Sequence, residues 1–305
     1  MMRRAATLMG FGAVLLWSAL ALLTEGAEPV PPLLLTALSF GIGGGALLLW
    51  ALLSGRGAAL RAVPPGALLF ATAGLFLYHL LYFWALRLAP AAEAGLVAYL
   101  WPLLIVLLAG TLPGERLRPG HLGGAALAFG GVALLASGGF GAGGEGAGLG
   151  LGLALLGAIT WAGYSVGSRR LGAVPSESVA PACLLVAGLA GLAHLGLEEA
   201  AWPAGARGWV SLLLLGLGPV GLAFLLWDVG MKRGDVQLLG VLAYAAPLLS
   251  TGLLVASGAA EASWRLGLAA ILIAGGAGVA ARASRRSPEP PSAAAPGPRA
   301  GRARP

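Results

Sequence analysis

The chain has 305 residues, 58% of them hydrophobic and only 10% charged, with a formal net charge of +7. Soluble domains carry roughly 25% charged residues, so this composition excludes a soluble core with a polar coat. One cysteine, Cys183, excludes an intramolecular disulfide framework and a Cys-rich metal site, and the basic residues sit in short pairs at the ends of apolar runs rather than on a nucleic-acid-binding face.

A helix crosses a bilayer with about 20 mostly apolar residues. Runs bounded by charge, Pro or Gly predict spans near 5–23, 32–54, 65–87, 90–110, 119–138, 148–169, 177–197, 208–231, 235–257 and 264–283. The first follows Arg3 and Arg4 and resembles a signal peptide. The many spans behind it favour an uncleaved helix. It carries Trp17 and Ser18 at mid-membrane.

The third span ends in LYHLLYFWALRLAP. At 100° per residue, Tyr78, His79 and Tyr82 fall within about a 100° arc, and Trp84 points elsewhere. Trp84 suits an interfacial aromatic belt; Tyr78 and His79 lie too deep for one. They line a cavity or make hydrogen bonds between helices. Glu93 opens the fourth span, either as a complement to the helix dipole or as an outer-gate group near Arg87. Tyr99 and Trp101 flank Pro102, which is expected to free the carbonyl of Ala98; Pro247, after Tyr244, does the same for Ala243. Such a Pro kinks the helix or opens a polar patch on a cavity.

In the sixth span, AITWAGYSVGSRR puts Trp161, Tyr164, Ser165 and Ser168 on one face. Gly163 to Gly167 also matches the G-x-S-x-G nucleophile elbow, but that motif needs a strand-to-helix turn. A Ser165–His194 hydrolase dyad is the remote alternative. The glycines, like Gly41/Gly45 and Gly120/Gly124, suit close helix approach better. Asp228, in the eighth span, either carries a coupling proton or pairs with Lys232 four residues on. The last stretch, 284–305, is rich in Pro, Ala and Arg and reads as a disordered cytoplasmic tail.

The charges orient these spans. With the N-terminus inside, only Arg87, Arg207 and Arg265 of the 19 basic residues fall on outer loops, whereas Glu25, Glu28, Glu145, Glu198, Glu199 and Glu261 all do. This is the positive-inside pattern, and a miscounted span would invert it downstream. The chain also repeats. Trp17 maps to Trp161 and Pro31 to Pro175 at a shift of 144, and Tyr99 and Pro102 map to Tyr244 and Pro247 at 145. The expectation is an all-α membrane protein of ten transmembrane helices in two inverted five-helix repeats. The repeats occupy residues 1–143 and 144–283, with both termini cytoplasmic. Inverted repeats are typical of secondary transporters, whose substrate sits near the midplane between the halves.

ALRLAPAAEAGLVAYLWPLLIVLLAG (85–110) and GERLRPGHLGGAALAFGGV (114–132) resemble the EamA-type members of the drug/metabolite transporter superfamily. The AP-x-x-EA…YLWPLLIVLL block is most similar to the bacterial aromatic amino acid exporters. The resemblance spans about residues 5–283 and is weaker in the second half, where Ala245 and Ala246 stand in place of Leu-Trp. It implies a ten-helix fold in the bacterial inner membrane and alternating access of a central cavity. It implies no cofactor and no metal. The implied cargo is aromatic and other bulky amino acids such as Phe, Trp and Tyr, with other metabolites or drugs as the alternative. With no P-loop in the chain, transport would run on gradients or by facilitated diffusion. The lipid bilayer is the one other partner, nucleic acid is not, and a monomer could suffice. The expected substrate cavity comprises Trp17, Tyr78, His79, Tyr82, Tyr99, Trp101, Pro102, Trp161, Tyr164, Ser165, Tyr244 and Pro247, with Glu93 and Asp228 as gate or coupling groups.

Overall fold

The computed structural model describes residues 2–137, 144, 146–258 and 263–285. Glu145, Glu261 and most of the expected tail, 286–305, lie outside the described residues. The described chain is helical, with no strand. In order it forms α1 (Arg3–Ser18), α2 (Leu20–Gly26), α3 (Pro32–Leu53), α4 (Gly57–Arg61), α5 (Pro65–Leu88), α6 (Ala91–Ala98), α7 (Trp101–Ala109) and α8 (Pro119–Ala136). There follow α9 (Ala147–Arg170), α10 (Val179–Leu197), α11 (Gly205–Leu215), α12 (Ala223–Arg233), α13 (Val236–Leu242), α14 (Ala245–Ala256) and α15 (Trp264–Arg285). Pro32, Pro65 and Pro119 each occupy the first helical position, where a missing N–H costs nothing and the ring presets φ. α15 runs through Ser284 and Arg285, where the tail was expected to begin.

Eight helical stretches among the described residues are long and apolar enough to cross a membrane. They are Arg3–Gly26, Pro32–Leu53, Pro65–Leu88, Ala147–Arg170, Ser176–Leu197, Gly205–Arg233, Val236–Ala256 and Trp264–Ser284. Two more apolar segments are α8, of 18 residues, and the pair α6–α7.

The first stretch is parted at Ala19, between α1 and α2, and three more are interrupted, each in a way that the apolar pattern hides. α6 and α7 are separated by a turn at Tyr99 and Leu100, and α13 and α14 by one at Ala243 and Tyr244. The prolines therefore follow breaks rather than bend continuous helices. The Ala243 carbonyl is also not freed, because it accepts the Ala246 N–H at 3.1 Å within the turn. Between α11 and α12 the chain widens into a π-helix, Gly216–Leu222, around Pro219. Proline cannot supply the α-helical hydrogen bond, and the wider turn absorbs the fault.

α1 packs on α12, α5 on α9, α3 on α10, α7 on α13 and α8 on α15. Glycine lets these backbones meet. A Cβ on Gly124 would stand 2.5 Å from the Gly276 carbonyl oxygen, and one on Gly120 2.9 Å from the Ala283 Cβ. In α3 the tightest approaches are at Gly43 and Gly44, while Gly41 makes an ordinary contact with the Ala187 Cβ at 3.8 Å. Gly45 has nothing within 4 Å, so the expected pair Gly41/Gly45 is off register.

Polar contacts gather the inter-helix segments at two ends. At one end Glu115, between α7 and α8, bonds Arg3 at 3.0 Å and Arg169 at 2.9 Å. Arg169 also donates to the carbonyls of Gly234 (3.0 Å) and Met231 (3.3 Å), and Arg3 lies 3.6 Å from Asp235. Arg56 pairs with Glu177 at 2.9 Å, and Arg118 donates to the Ala283 carbonyl at 3.2 Å. At the opposite end Glu198 accepts the Leu33 and Leu34 N–H groups at the start of α3.

Candidate functional site

Helices that are far apart in the chain bring their largest rings to one point. Trp17 comes from α1, Trp101 from the start of α7, Trp161 from α9 and Trp227 from α12. The Trp17 ring stands 6.4 Å from Trp101, 5.6 Å from Trp161 and 5.1 Å from Trp227, between centroids. Trp101 is 6.1 Å from Trp161 and 5.8 Å from Trp227. All six pairs of the four indoles lie within contact range, the range in which aromatic pairs attract by edge or offset.

A second tier surrounds them. Tyr78 tilts against Trp161 at 5.0 Å and stacks parallel to Tyr82 at 6.1 Å. His79 stands edge-on to Tyr78 at 5.2 Å and to Phe40 at 5.0 Å. Phe224 closes the group, 6.0 Å from Trp17 and 5.4 Å from Phe40. Tyr164 adjoins Trp161 at 5.5 Å and lies on Gly74 of α5, where a Cβ would come within 2.7 Å of it.

The polar atoms of this group are unevenly satisfied. Trp17 donates its indole N–H to the Pro219 carbonyl of the π-helix at 2.9 Å. Trp227 donates to the Ser165 hydroxyl at 3.1 Å, and Ser168 donates to the Ser165 carbonyl at 2.7 Å. His79 Nδ1–H donates to the Leu75 carbonyl at 2.7 Å, which leaves Nε2 of the neutral ring as an acceptor. The Trp161 indole N–H makes no hydrogen bond, although the residue is only 3% exposed. An orphaned buried donor costs about 1–3 kcal/mol.

The structure thus brings together Trp17, Tyr78, His79, Tyr82, Trp101, Trp161, Tyr164 and Ser165. It separates others. Tyr244 is fully buried in a second cluster with α8 and α15, 6.2 Å from Phe129, whereas Tyr99, in the turn after α6, packs against that cluster and also lies within electrostatic reach of Tyr78 and Tyr82, between the two groups. Pro102 is buried where α7 meets α13; a Cβ on Gly240 would stand 3.1 Å from its carbonyl. Pro247 is half-buried and accepts the Thr251 hydroxyl at 2.9 Å. Glu93 lies in the first turn of α6. Asp228 forms an ion pair with Lys232 at 2.8 Å, and Lys232 also donates to the Val174 carbonyl. The elbow reading fails outright, because α9 runs unbroken through Gly163–Gly167.

Trp227, Phe224 and Phe40 were missed. Phe224 and Trp227 stand three residues apart, an aromatic stripe like the one noticed in α9. The neighbouring charges of Asp228 and Lys232 mask this stripe in the sequence. Nothing in the local pattern marks Phe40.

Residues 4–137 and 148–282 each match the EamA-like transporter family. The chain belongs to this family.

As an EamA-like protein it is a multi-pass membrane transporter and not an enzyme. The chain is 52% identical over 289 residues to the aromatic amino acid exporter YddG of Ancylobacter novellus, covering 94% of this chain and 100% of that one. It is 26% identical over 298 residues to the protein of that name from Escherichia coli K12, at 94% and 100% coverage. A solved crystal structure, 52% identical, superposes with a TM-score of 0.88 over 93% of this chain and 99% of the other.

Proposed function

We propose that this EamA-like transporter exports aromatic and other bulky amino acids across the bacterial inner membrane, by alternating access between two inverted halves. The observation that carries the reading is the four-indole cluster with an unanswered N–H at Trp161. The relatives' names point the same way.

The indoles touch one another, so a flat cargo must part them. A bound phenyl or indolyl ring then replaces one set of ring contacts with another, each worth roughly 0.5–1.5 kcal/mol. The exchange is nearly balanced, which suits a carrier that must also let go. The Trp161 N–H is free to bond the cargo's carboxylate, and His79 Nε2 can accept from its ammonium group. No Lys or Arg belongs to the cluster, so recognition stays permissive.

Two features support inverted halves. The family matches twice, once in each half. Several helix pairings also map onto one another when the halves are exchanged: α1 on α12 becomes α9 on α5, while α3–α10 and α8–α15 each become themselves. With α6–α7 and α8 counted as spans, ten crossings result, and the Arg-rich end lies in the cytoplasm together with the termini. There Glu115, held by Arg3 and Arg169, ties α1, α9 and the α7–α8 connection together. We read this as the closed inner gate.

Uptake of radiolabelled L-phenylalanine by the purified protein in liposomes tests the reading. Saturable flux that is lost in Trp161→Ala is expected. No flux of any aromatic amino acid would end it.

A further inference from the structure

Two helix lines that pack side by side are faulted at the same depth. α1 packs on α12 and α2 on α11, so the line α1–α2 runs beside the line α12–α11. The break between α1 and α2 has a local cause. The Ser18 hydroxyl donates to the Leu15 carbonyl at 2.6 Å, and the Ala19 N–H turns to the Leu16 carbonyl at 3.1 Å. A serine that competes for the backbone in this way bends a helix. The facing fault is the π-helix between α11 and α12, where Pro219 supplies no N–H and three of the seven residues are glycine. The bond from the Trp17 N–H to the Pro219 carbonyl, at 2.9 Å, joins the two faults.

On either side of this level the lines are locked together. A Cβ on Gly230 of α12 would stand 2.7 Å from the Gly10 Cα of α1, and the Thr7 hydroxyl accepts the Asp235 N–H at 2.9 Å. Beyond the faults, at the end opposite Glu115, a Cβ on Gly26 would overlap the Ser211 side chain of α11. There Leu23 and Ala27 pack with Leu34 of α3 and with Leu212 and Leu215 of α11, in an apolar cluster of their own. Val14, Phe224 and Trp227 belong instead to the larger core around the indoles. Two tightly packed units therefore meet at the level of Trp17, and both chains that pass from one unit to the other are irregular there. Proline accounts for one fault and Ser18 for the other. Neither accounts for their meeting across the N–H of a ring in the aromatic cluster.

We propose that the two faults are a paired hinge, that α2, α11 and α3 swing on it as one outer gate, and that Trp17 is the positioning residue that ties this gate to the cargo site. Hinges are a few element-terminal residues that absorb a change in backbone dihedrals. With the Trp17 N–H on Pro219, the two units are held in register. Cargo that parts the indoles draws the Trp17 ring off the carbonyl and frees the outer unit. Cargo can shift this equilibrium because it gains its ring contacts only when the indoles are parted. The identity of the cargo rests on the export reading; the hinge does not.

The test measures distances between nitroxide labels on pairs of introduced cysteines, by double electron–electron resonance on the full chain in nanodiscs. Cys183 is fully buried and stays unlabelled. Glu25→Cys in α2 with Trp264→Cys in α15 spans the two units, because α15 packs with α13 and α14 beside α1. Glu25→Cys with Leu53→Cys in α3 lies within the outer unit. All three sites are exposed. L-Phenylalanine is expected to shift the first distance by several ångströms and to leave the second in place. Without cargo, Trp17→Phe keeps the ring, removes the N–H and should broaden the first distribution alone. Ser18→Ala returns the Leu15 carbonyl to the Ala19 N–H and stiffens the hinge, so it should diminish the shift caused by L-phenylalanine.

A first distribution that Trp17→Phe leaves unchanged overturns the proposal. So does a Glu25–Leu53 distance that moves along with it, or a shift that persists in full in Ser18→Ala. If L-phenylalanine is carried in liposomes but moves neither distance, the gate is not tied to the cargo, and this proposal fails while the export reading stands. If no aromatic amino acid is carried, the export reading fails, and the cargo-free Trp17→Phe measurement decides the hinge by itself.

Discussion

Trp227 on α12 donates its indole N–H to the hydroxyl of Ser165 on α9 at 3.1 Å, and both side chains are buried. This bond joins two aromatic stripes, on α9 and α12, that both belong to the second half of the chain. It also sets apart Trp161, one turn earlier on α9, whose identical donor has no acceptor. Two indoles a few ångströms apart, one satisfied and one waiting, give the site a direction for polar recognition that the rings alone would lack.

Trp161→Phe tests that asymmetry. It keeps an aromatic ring and removes the N–H. The expected result is a fall of about 10-fold in transport efficiency for L-phenylalanine, carried by KM, since one bond to a charged group is worth roughly 1.5–3 kcal/mol. Binding of phenethylamine, which has no carboxylate, should be unchanged. Equal losses for both ligands would show that only packing had been disturbed.

Ser165→Ala should behave differently. It leaves the Trp227 donor buried and unpaired, at a cost of about 1–3 kcal/mol. A lower melting temperature in detergent is expected, with Trp227→Phe in the same background recovering part of the loss. Additive losses in the double variant would contradict the coupling.

The Glu115 latch predicts an accessibility change. Glu115→Gln removes the charge that holds Arg3 and Arg169 together. A cysteine placed at Ser168, buried near that end, should react several-fold faster with an impermeant maleimide in inside-out vesicles. Cys183 is fully buried and supplies the background. An unchanged rate would mean that the latch is not the gate.

Asp228 and Lys232 separate the ion-pair reading from proton coupling. Lys232→Met alone strands a buried carboxylate and should be strongly destabilising. Asp228→Asn with Lys232→Met removes both charges and should recover stability and flux. If Asp228 instead carries the coupling proton, the double variant will fold but lose the dependence of flux on a pH gradient.

Close backbone approach can be tested in α3. Gly43→Ala would put a methyl group 2.5 Å from the Gly216 carbonyl of the π-helix, against backbone that has nowhere to go. Overpacking of this kind costs typically 1–3 kcal/mol. Gly45→Ala, two residues on, has nothing within 4 Å and should leave the melting temperature unchanged.

The membrane class, the helices and the family were legible in the sequence because they rest on composition, run length and a local signature such as YLWP. The shared face of Tyr78, His79 and Tyr82 was legible for the same reason: helical periodicity is a local property. So was the stripe of Trp161, Tyr164 and Ser165 on α9. Tertiary structure decided which stripes meet. Periodicity says that a face exists but not what it faces. Thus Trp227 and Phe224 joined the cluster, while Tyr244, expected there from its match to Tyr99, packed against Phe129 instead. The turns before Pro102 and Pro247 and the π-helix at Pro219 likewise depend on where the backbone finds other partners, such as Trp17 reaching the Pro219 carbonyl. Contacts like these, and the ion pairs joining Glu115 to Arg3 and Arg169, link residues more than 50 positions apart. No window along the chain contains both partners, so only the folded arrangement of the helices could reveal them.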